Sequence, residues 1–245
     1  MRAPLVEVFT SIQGEGLYVG CRHLFIRLAG CNLRCAYCDT PQAVPDAWRL
    51  ERTPGRGDFS ALPNPAAVDD VLECLHPLPL NLYHAVSITG GEPLLHEAFL
   101  AEMLPRLRRR GWRIYLETNG TLPGALKRTA AFCDIIAMDY KLPSATGQQL
   151  YEAEHAAFLR RARGPGLFVK AVVSHDTSAK ELAAAAGVIA REAPGTPLVL
   201  QPVTAPGNGT PQVNPARLLA LQETALAFLP VVRVIPQTHI MLGAR

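Results

Sequence analysis

The sequence predicts an α/β protein, specifically an incomplete, partial (βα)6-type barrel with mostly parallel strands. Three observations carry the prediction. Apolar runs of strand length alternate with helical stretches along the chain, which calls for a parallel sheet with right-handed crossovers. The runs are nearly continuous in β-branched and aliphatic residues, the pattern of strands covered on both faces. Polar and glycine-rich residues fall directly after the strands, where a barrel gathers its site. That third observation favours a barrel over an open doubly wound sheet, and six or so βα units leave the barrel incomplete.

The first strand is HLFIRLAG (23–30), followed directly by the polar GCNLRC turn. Residues 41–65 break the rhythm: proline, glycine and charge dominate with little periodicity, so this stretch reads as an inserted loop or small subdomain. A helix is expected at 68–75. The second strand, AVSITG (85–90), ends in GGEP and leads into a helix at 97–110. RIYLETN (113–119) ends in ETNG and precedes a short helix near 125–132. DIIAMDYK (134–141) precedes a helix at 148–161, and LFVKAVVS (167–174) a helix at 179–192 with Ser178 as its cap. PLVLQPV (197–203) precedes a helix at 215–228, where Asn214 caps and Pro215 suits the first helical position. VVRVIPQ (231–237) is the last strand. No repeat or second domain is visible, so residues 1–245 are expected to form a single domain with the insert at about 41–65.

Composition narrows the class. With 49% hydrophobic residues in 245, the chain has ample material for a core. Its 24 basic and 21 acidic residues leave a formal charge of +3, too small and dispersed for nucleic-acid binding; the arginines of 106–113 read as a solvated helix face. No apolar run approaches the roughly 20 residues that span a bilayer, and the N-terminus lacks the apolar stretch of a signal peptide. A cytoplasmic protein with neither nucleic acid nor membrane as partner is expected. Disulfides are disfavoured, because three of the six cysteines crowd into eight residues of a long chain without an export signal. Cys74 and Cys133 sit where buried thiols act as small apolar residues, and they stay outside the site with Cys21.

The three crowded thiols are the most informative feature. CNLRCAYC places Cys31, Cys35 and Cys38 at spacings of four and three. Such a loop can hold three corners of a cubic iron–sulfur cluster and leave the fourth iron open to a small molecule. A structural zinc site is the plainer alternative, but zinc usually takes four ligands from CxxC pairs far apart. Residues i, i+4 and i+7 also share one helix face, so an apolar cysteine stripe is another alternative; Gly30, Asn32 and Asp39 favour a loop.

CxxxCxxC with Tyr37 before its last cysteine resembles the radical S-adenosylmethionine (radical SAM) superfamily, and Gly90, Gly91, Glu92 and Pro93 after the next strand strengthen the likeness. The resemblance implies a radical SAM barrel carrying a 4Fe–4S cluster on Cys31, Cys35 and Cys38, with S-adenosyl-L-methionine chelated to the open iron. One electron then cleaves the sulfonium and yields a 5′-deoxyadenosyl radical that takes hydrogen from substrate. Glycines 90 and 91 would let the backbone approach the cofactor's ammonium, with Glu92 as a nearby acceptor.

SIQGEG (11–16), FIRLAGCNLRCAYCDT, SITGGEP, ETNG, MDYKLPS (138–144), LQPVT and PQTH (236–239) together resemble the 7-carboxy-7-deazaguanine synthase family across essentially the whole chain. The insert at 41–65 is the departure from that pattern. The resemblance implies a lyase that contracts 6-carboxy-5,6,7,8-tetrahydropterin to 7-carboxy-7-deazaguanine, a queuosine precursor, with loss of ammonia. Carried over, Ile12, Gln13, Gly14 and Glu15 line the pterin pocket, Arg27 meets the substrate carboxylate with two parallel donors, and Thr89 and His239 complete the pocket. The carboxylate of Arg245 is a further candidate. Thr40 offers its hydroxyl to Mg2+, which keeps water or substrate oxygens in its remaining positions. Tyr37, Cys38, Asp39 and Gly91 contact adenosylmethionine from one side. Asp139, Tyr140 and Lys141 contact it from the fourth strand, and Gln201, Pro202, Val203 and Thr204 from the sixth. A flavodoxin or ferredoxin reductant and a homodimer are implied by the resemblance alone. Two other readings stay open: a glycyl-radical-enzyme activase, which shares CxxxCxxC but leaves SIQGEG, Thr40 and PQTH without a role, and a non-catalytic iron–sulfur or metal-binding module.

Overall fold

The computed structural model describes residues 1–38, 40, 43–76, 78–162, 164, 166–204 and 211–244. In chain order the elements begin with strands β1 (Arg2–Ala3), β2 (Leu5–Ile12), β3 (Arg22–Leu28), β4 (Ala47–Glu51), β5 (Phe59–Pro63) and β6 (Ala66–Ala67), then helix α1 (Val68–Leu75). Next come β7 (Ala85–Gly90), α2 (Glu97–Arg109), β8 (Ile114–Thr118), α3 (Pro123–Leu126), β9 (Ile135–Asp139), α4 (Pro143–Thr146) and α5 (Glu152–Arg161). The chain closes with β10 (Leu167–Val173), α6 (Ala179–Glu192), β11 (Leu198–Pro202), α7 (Pro215–Leu226), β12 (Val232–Val234) and α8 (Thr238–Met241).

One sheet runs β12-β11-β10-β9-β8-β7-β3-β2-β4-β5. From β3 to β12 every neighbouring pair is parallel, and the sheet stays open, so the fold is a partial barrel. Side chains alternate across each strand, and the alternation sorts the apolar residues into two cores. Ile114 and Leu116 of β8, Ile136 and Met138 of β9, and Leu198 and Leu200 of β11 face outward into the helix layer. Tyr115, Ile135, Ala137, Phe168 and Val199 face inward and pack with Leu17 and Tyr18 to plug the lower end of the barrel. Ser178 accepts a hydrogen bond from the Glu181 amide at 3.1 Å, and Asn214 from the Arg217 amide at 2.9 Å, so both helices start at the caps read from the sequence. The expected helix at 148–161 begins later, at Glu152. That near 125–132 resolves into α3, started by Pro123, and a separate turn at Ala130–Phe132.

Residues 47–63 form a hairpin that extends the sheet. β4 lies parallel to β2, β5 antiparallel to β4, and Trp48 is 1% exposed within the outer core. The Asn64 amide ties the hairpin base down by donating to Leu5 O at 2.8 Å and Pro45 O at 2.9 Å while accepting from Leu5 N.

Below the aromatic plug a polar chain closes the barrel floor. Arg113 Nη1 lies 2.8 Å from His84 Nε2, His84 Nδ1 3.0 Å from His23 Nε2, and His23 Nδ1 2.7 Å from Ser87 Oγ. A guanidinium only donates, so His84 accepts from Arg113, donates to His23, and His23 donates to Ser87. Both imidazoles are therefore neutral. Among the described residues no helix is long and apolar enough to cross a membrane.

Candidate active site

The C-terminal ends of the parallel strands surround a cavity of about 870 Å³. One wall is the cysteine loop. Gly30 turns the chain out of β3 with φ 86, and Cys31, Cys35 and Cys38 all line the cavity, none of them in a disulfide. The Leu33 amide donates to Cys31 Sγ at 3.4 Å and the Asn119 side chain donates to it at 3.9 Å. Cys38 N–H donates to Cys35 O at 3.1 Å, holding the loop's second turn. A Cβ on Gly91 would stand 2.9 Å from Cys31 Cβ and 2.6 Å from the Gly30 carbonyl carbon, so the GGEP backbone lies directly against the cysteine loop because it carries no side chain there.

Burial pushes the Cys31 and Cys35 thiols up. Metal ligation would deprotonate them. Three soft sulfur donors with N–H groups directed at one of them fit an iron–sulfur cluster. Among the described residues no three His, Cys, Asp or Glu side chains converge on a single ion. A cubane binds each thiolate to a different iron, so it makes no demand for that convergence.

The opposite wall is built by the loop after β2 and the segment after β12. Thr238 donates to Gly14 O from its backbone N–H at 2.9 Å and its hydroxyl at 3.2 Å, and the His239 ring packs on Gly14, where a Cβ would fall 2.6 Å from His239 Cγ. Glu15 accepts from Lys170, from Gln201 Nε2 at 3.1 Å and from Gln237 Nε2 at 2.8 Å. Burial opposes its ionisation, yet the Lys170 ammonium and the Gln237 hydrogen bond hold its carboxyl at about 2. Ile12, Gln13, Thr89 and His239 face the same cavity.

Arg27 also faces it, from β3. Its Nε donates to Glu7 Oε1 at 3.1 Å, while Arg49 of the hairpin takes Glu7 Oε2 at 2.9 Å. The Arg27 guanidinium lies 5.4 Å over the Phe9 ring. Held by Nε and by this ring, the outer edge of the fork is set to receive a planar anion.

Between the walls lies a charged floor. Lys141 Nζ donates to Asp139 Oδ2 at 2.9 Å and to the Tyr37 hydroxyl at 3.1 Å. Burial opposes the Lys141 charge, and Asp139 more than restores it. Asp139 Oδ1, Gln201 Oε1 and Thr204 Oγ1 are buried with no hydrogen-bond partner. A native interior rarely leaves such atoms orphaned, and ligand donors would satisfy them. Val203, Thr204 and Thr40 line the same space. The Cys38 thiol donates to Thr40 O at 3.6 Å, which places Thr40 beside the cysteine loop; its hydroxyl suits Mg2+, an ion that needs few protein oxygens.

The side chains of three expected residues do not line the cavity. The Tyr140 side chain is 2% exposed and packs 4.2 Å from the His155 ring, outside the cavity wall. Pro202 is likewise absent from the wall, because alternation along β11 sends Gln201 and Val203 inward and Pro202 outward. Glu92 points away from the site: Oε1 accepts from Leu94 N and Thr118 Oγ1, and Oε2 from Asn119 N at 2.7 Å, so it cements GGEP to β8. Asp39 and Arg245 lie outside the described residues.

Several wall residues had no role in the sequence reading, Glu117 and Lys170 among them. Glu117 accepts from Gln13 Nε2 at 2.8 Å and Thr89 Oγ1 at 2.6 Å; Lys170 bridges Glu15 and Asp139. The available signal was a lone charge at the inward position of an otherwise apolar strand, IYLET and LFVKAVV.

Comparison with known proteins agrees with this geometry. The model of the radical SAM superfamily matches residues 25–166. A protein named 7-carboxy-7-deazaguanine synthase from Geobacter sulfurreducens is 43% identical over 98% of this chain and 97% of its own length. One of the same name from Methanothermobacter thermautotrophicus is 36% identical over 100% and 99%. In fold, the chain is similar to the crystal structure of QueE from Escherichia coli, with TM-score 0.62 and 24% identity over 97% of this chain and 94% of that one.

Proposed function

Because the chain belongs to the 7-carboxy-7-deazaguanine synthase family of the radical SAM superfamily, we infer that its cavity is where 6-carboxy-5,6,7,8-tetrahydropterin becomes 7-carboxy-7-deazaguanine and ammonia. The observation that carries the reading is that the three thiols share one cavity with Arg27, Gln13, Glu15 and His239. Substrate and product differ by ammonia alone, so the ring contraction consumes no electrons overall.

When bound, the 4Fe–4S cluster and adenosylmethionine supply a 5′-deoxyadenosyl radical that abstracts hydrogen from the pterin. Cys31, Cys35 and Cys38 would hold the cluster, and Thr40 would give Mg2+ one oxygen. Tyr37, Gly91, Asp139, Lys141, Gln201, Val203 and Thr204 border the adenosylmethionine space, Asp39 is a further contact, and Tyr140 and Pro202 contribute backbone groups. Arg27, set by Glu7, offers paired donors to the substrate carboxylate. Gln13 and Glu15 present an amide and an ionised carboxylate to the pterin's donors and acceptors, while Ile12, Gly14, Thr89 and His239 close around it and Arg245 is a further substrate contact. The aromatic plug and the histidine floor exclude water from below. The 41–65 segment belongs to a single domain of residues 1–245, which works as a cytoplasmic homodimer reduced by flavodoxin or ferredoxin.

The test is anaerobic reconstitution, then product analysis with adenosylmethionine, reductant and the carboxypterin, with and without Mg2+. Deazapurine formation that rises with Mg2+ and disappears in Cys35→Ala is expected. Release of 5′-deoxyadenosine without any deazapurine would overturn the substrate assignment.

A further inference from the structure

Four charges alternate along the cavity floor in the order Glu15, Lys170, Asp139, Lys141, and the row ends on the Tyr37 hydroxyl. Its two ends belong to different walls. Tyr37 lies between Cys35 and Cys38 in the cysteine loop, whereas Glu15 is bound to Gln237 and neighbours Gly14, on which His239 packs. The only cation between the two carboxylates is Lys170 among the described residues. It stands directly opposite Asp139 in the parallel ladder of β9 and β10, and its side chain is 16% exposed.

A buried ammonium needs anionic partners, because water is not there to solvate it. Lys170 has two, and it divides itself unequally: it is hydrogen-bonded to Glu15 and stands 3.4 Å from Asp139 Oδ2. Unpartnered acceptors accompany both carboxylates: Asp139 Oδ1 is buried without a hydrogen-bond partner, and so is Oε1 of Gln201, whose Nε2 binds Glu15. A ligand donor that engages Asp139 weakens that carboxylate's hold on Lys170 and delivers more of the ammonium to Glu15. A ligand that engages Glu15 sends it the other way.

We propose that Lys170 is a positioning residue that couples the two halves of the cavity, so that adenosylmethionine beside the cysteine loop and pterin beside Gln13 and Glu15 change each other's affinity and radical formation stays tied to product formation. The proposal rests on the reading that these two ligands occupy these two halves. Coupling of this kind is reciprocal: the factor by which pterin changes adenosylmethionine binding equals the factor in reverse.

The experiment uses cluster-reconstituted wild type, Lys170→Gln and Lys170→Arg, with cluster content and thermal midpoint recorded for each. Adenosylmethionine affinity is measured by equilibrium binding with and without 6-carboxypterin, the oxidised compound that cannot turn over, and turnover is read as 5′-deoxyadenosine released per deazapurine formed. In wild type the two affinities should differ by about 5- to 150-fold. In Lys170→Gln that factor should fall to about one, and 5′-deoxyadenosine should exceed deazapurine. Lys170→Arg, which keeps the charge with a different reach, should lose at least about threefold of the coupling. A wild-type factor of one, or an unchanged factor in either variant that holds its cluster, overturns the proposal, as does a parallel loss of both affinities at constant ratio. Failure of the functional reading looks different, since wild type would then form no deazapurine at all.

Discussion

Lowering the pH from 7 to 5 should destabilise the folded chain through His23 at the barrel floor. Burial first, then the neighbouring His84 and the Arg113 guanidinium, hold this imidazole at about 3 against an ordinary value of 6.5. Its side chain has no room for a second proton: Nδ1–H is given to Ser87 and Nε2 accepts from His84. Between pH 7 and 5 the unfolded chain gains a proton at this position while the folded chain does not. The stabilisation is therefore complete above pH 6.5 and is lost as the pH falls below it, by ~2 kcal/mol at pH 5 from this residue alone. His155, held at about 4 chiefly by burial, acts in the same direction. The assay is the denaturant midpoint at a series of pH values for wild type and His23→Gln. The variant should be less stable at pH 7, having lost part of the chain, yet its stability should fall by ~2 kcal/mol less on acidification. Parallel curves would refute the reasoning, for they would mean that His23 is already charged, or is hydrated, in the native state.

Other consequences can be checked independently. Arg27→Lys removes both the fork and the Nε bond to Glu7, so the KM for the carboxypterin should rise by about 10- to 100-fold while adenosylmethionine affinity holds; an unchanged KM would remove Arg27 from the substrate. Gly14→Ala pushes a methyl into His239, and overpacking of ~1–3 kcal/mol should lower the thermal midpoint and raise the pterin KM together. Glu92→Gln replaces an acceptor of three hydrogen bonds by an amide with one acceptor oxygen, and the stranded donors should cost ~1–3 kcal/mol in denaturant unfolding without altering which product forms.

Seven parallel strands were legible because strands covered on both faces are spelled as unbroken apolar runs, and the site was legible where glycines and cysteines follow them. The hairpin at 47–63 was not. Its residues alternate and mix with proline and glycine, since one face meets solvent, and only Trp48 is fully buried, with Leu50 and Leu62 packed partly against the core. Within the site, a motif gave proximity but not direction. Tyr140 adjoins Asp139 and Lys141 in sequence, yet the pleat turns it to the helices, and Glu92 adjoins Gly91 yet caps its own turn. Lys170 escaped notice because an isolated charge in a strand ordinarily marks a solvent face, and Glu117 was seen only as the start of ETNG, without a role; both face the cavity.

The pairing of Gly14 and Glu15 with residues 237 and 238 joins positions more than 220 apart in the chain. Contacts of that separation are slow to form and yield little until the rest of the fold is in place. The cysteine loop, anchored on β3 and the adjacent β7 and β8, needs none of them. Folding should therefore furnish a thiol-bearing half-barrel before the substrate side is sealed, and native-state hydrogen exchange should find this seam the first to breathe.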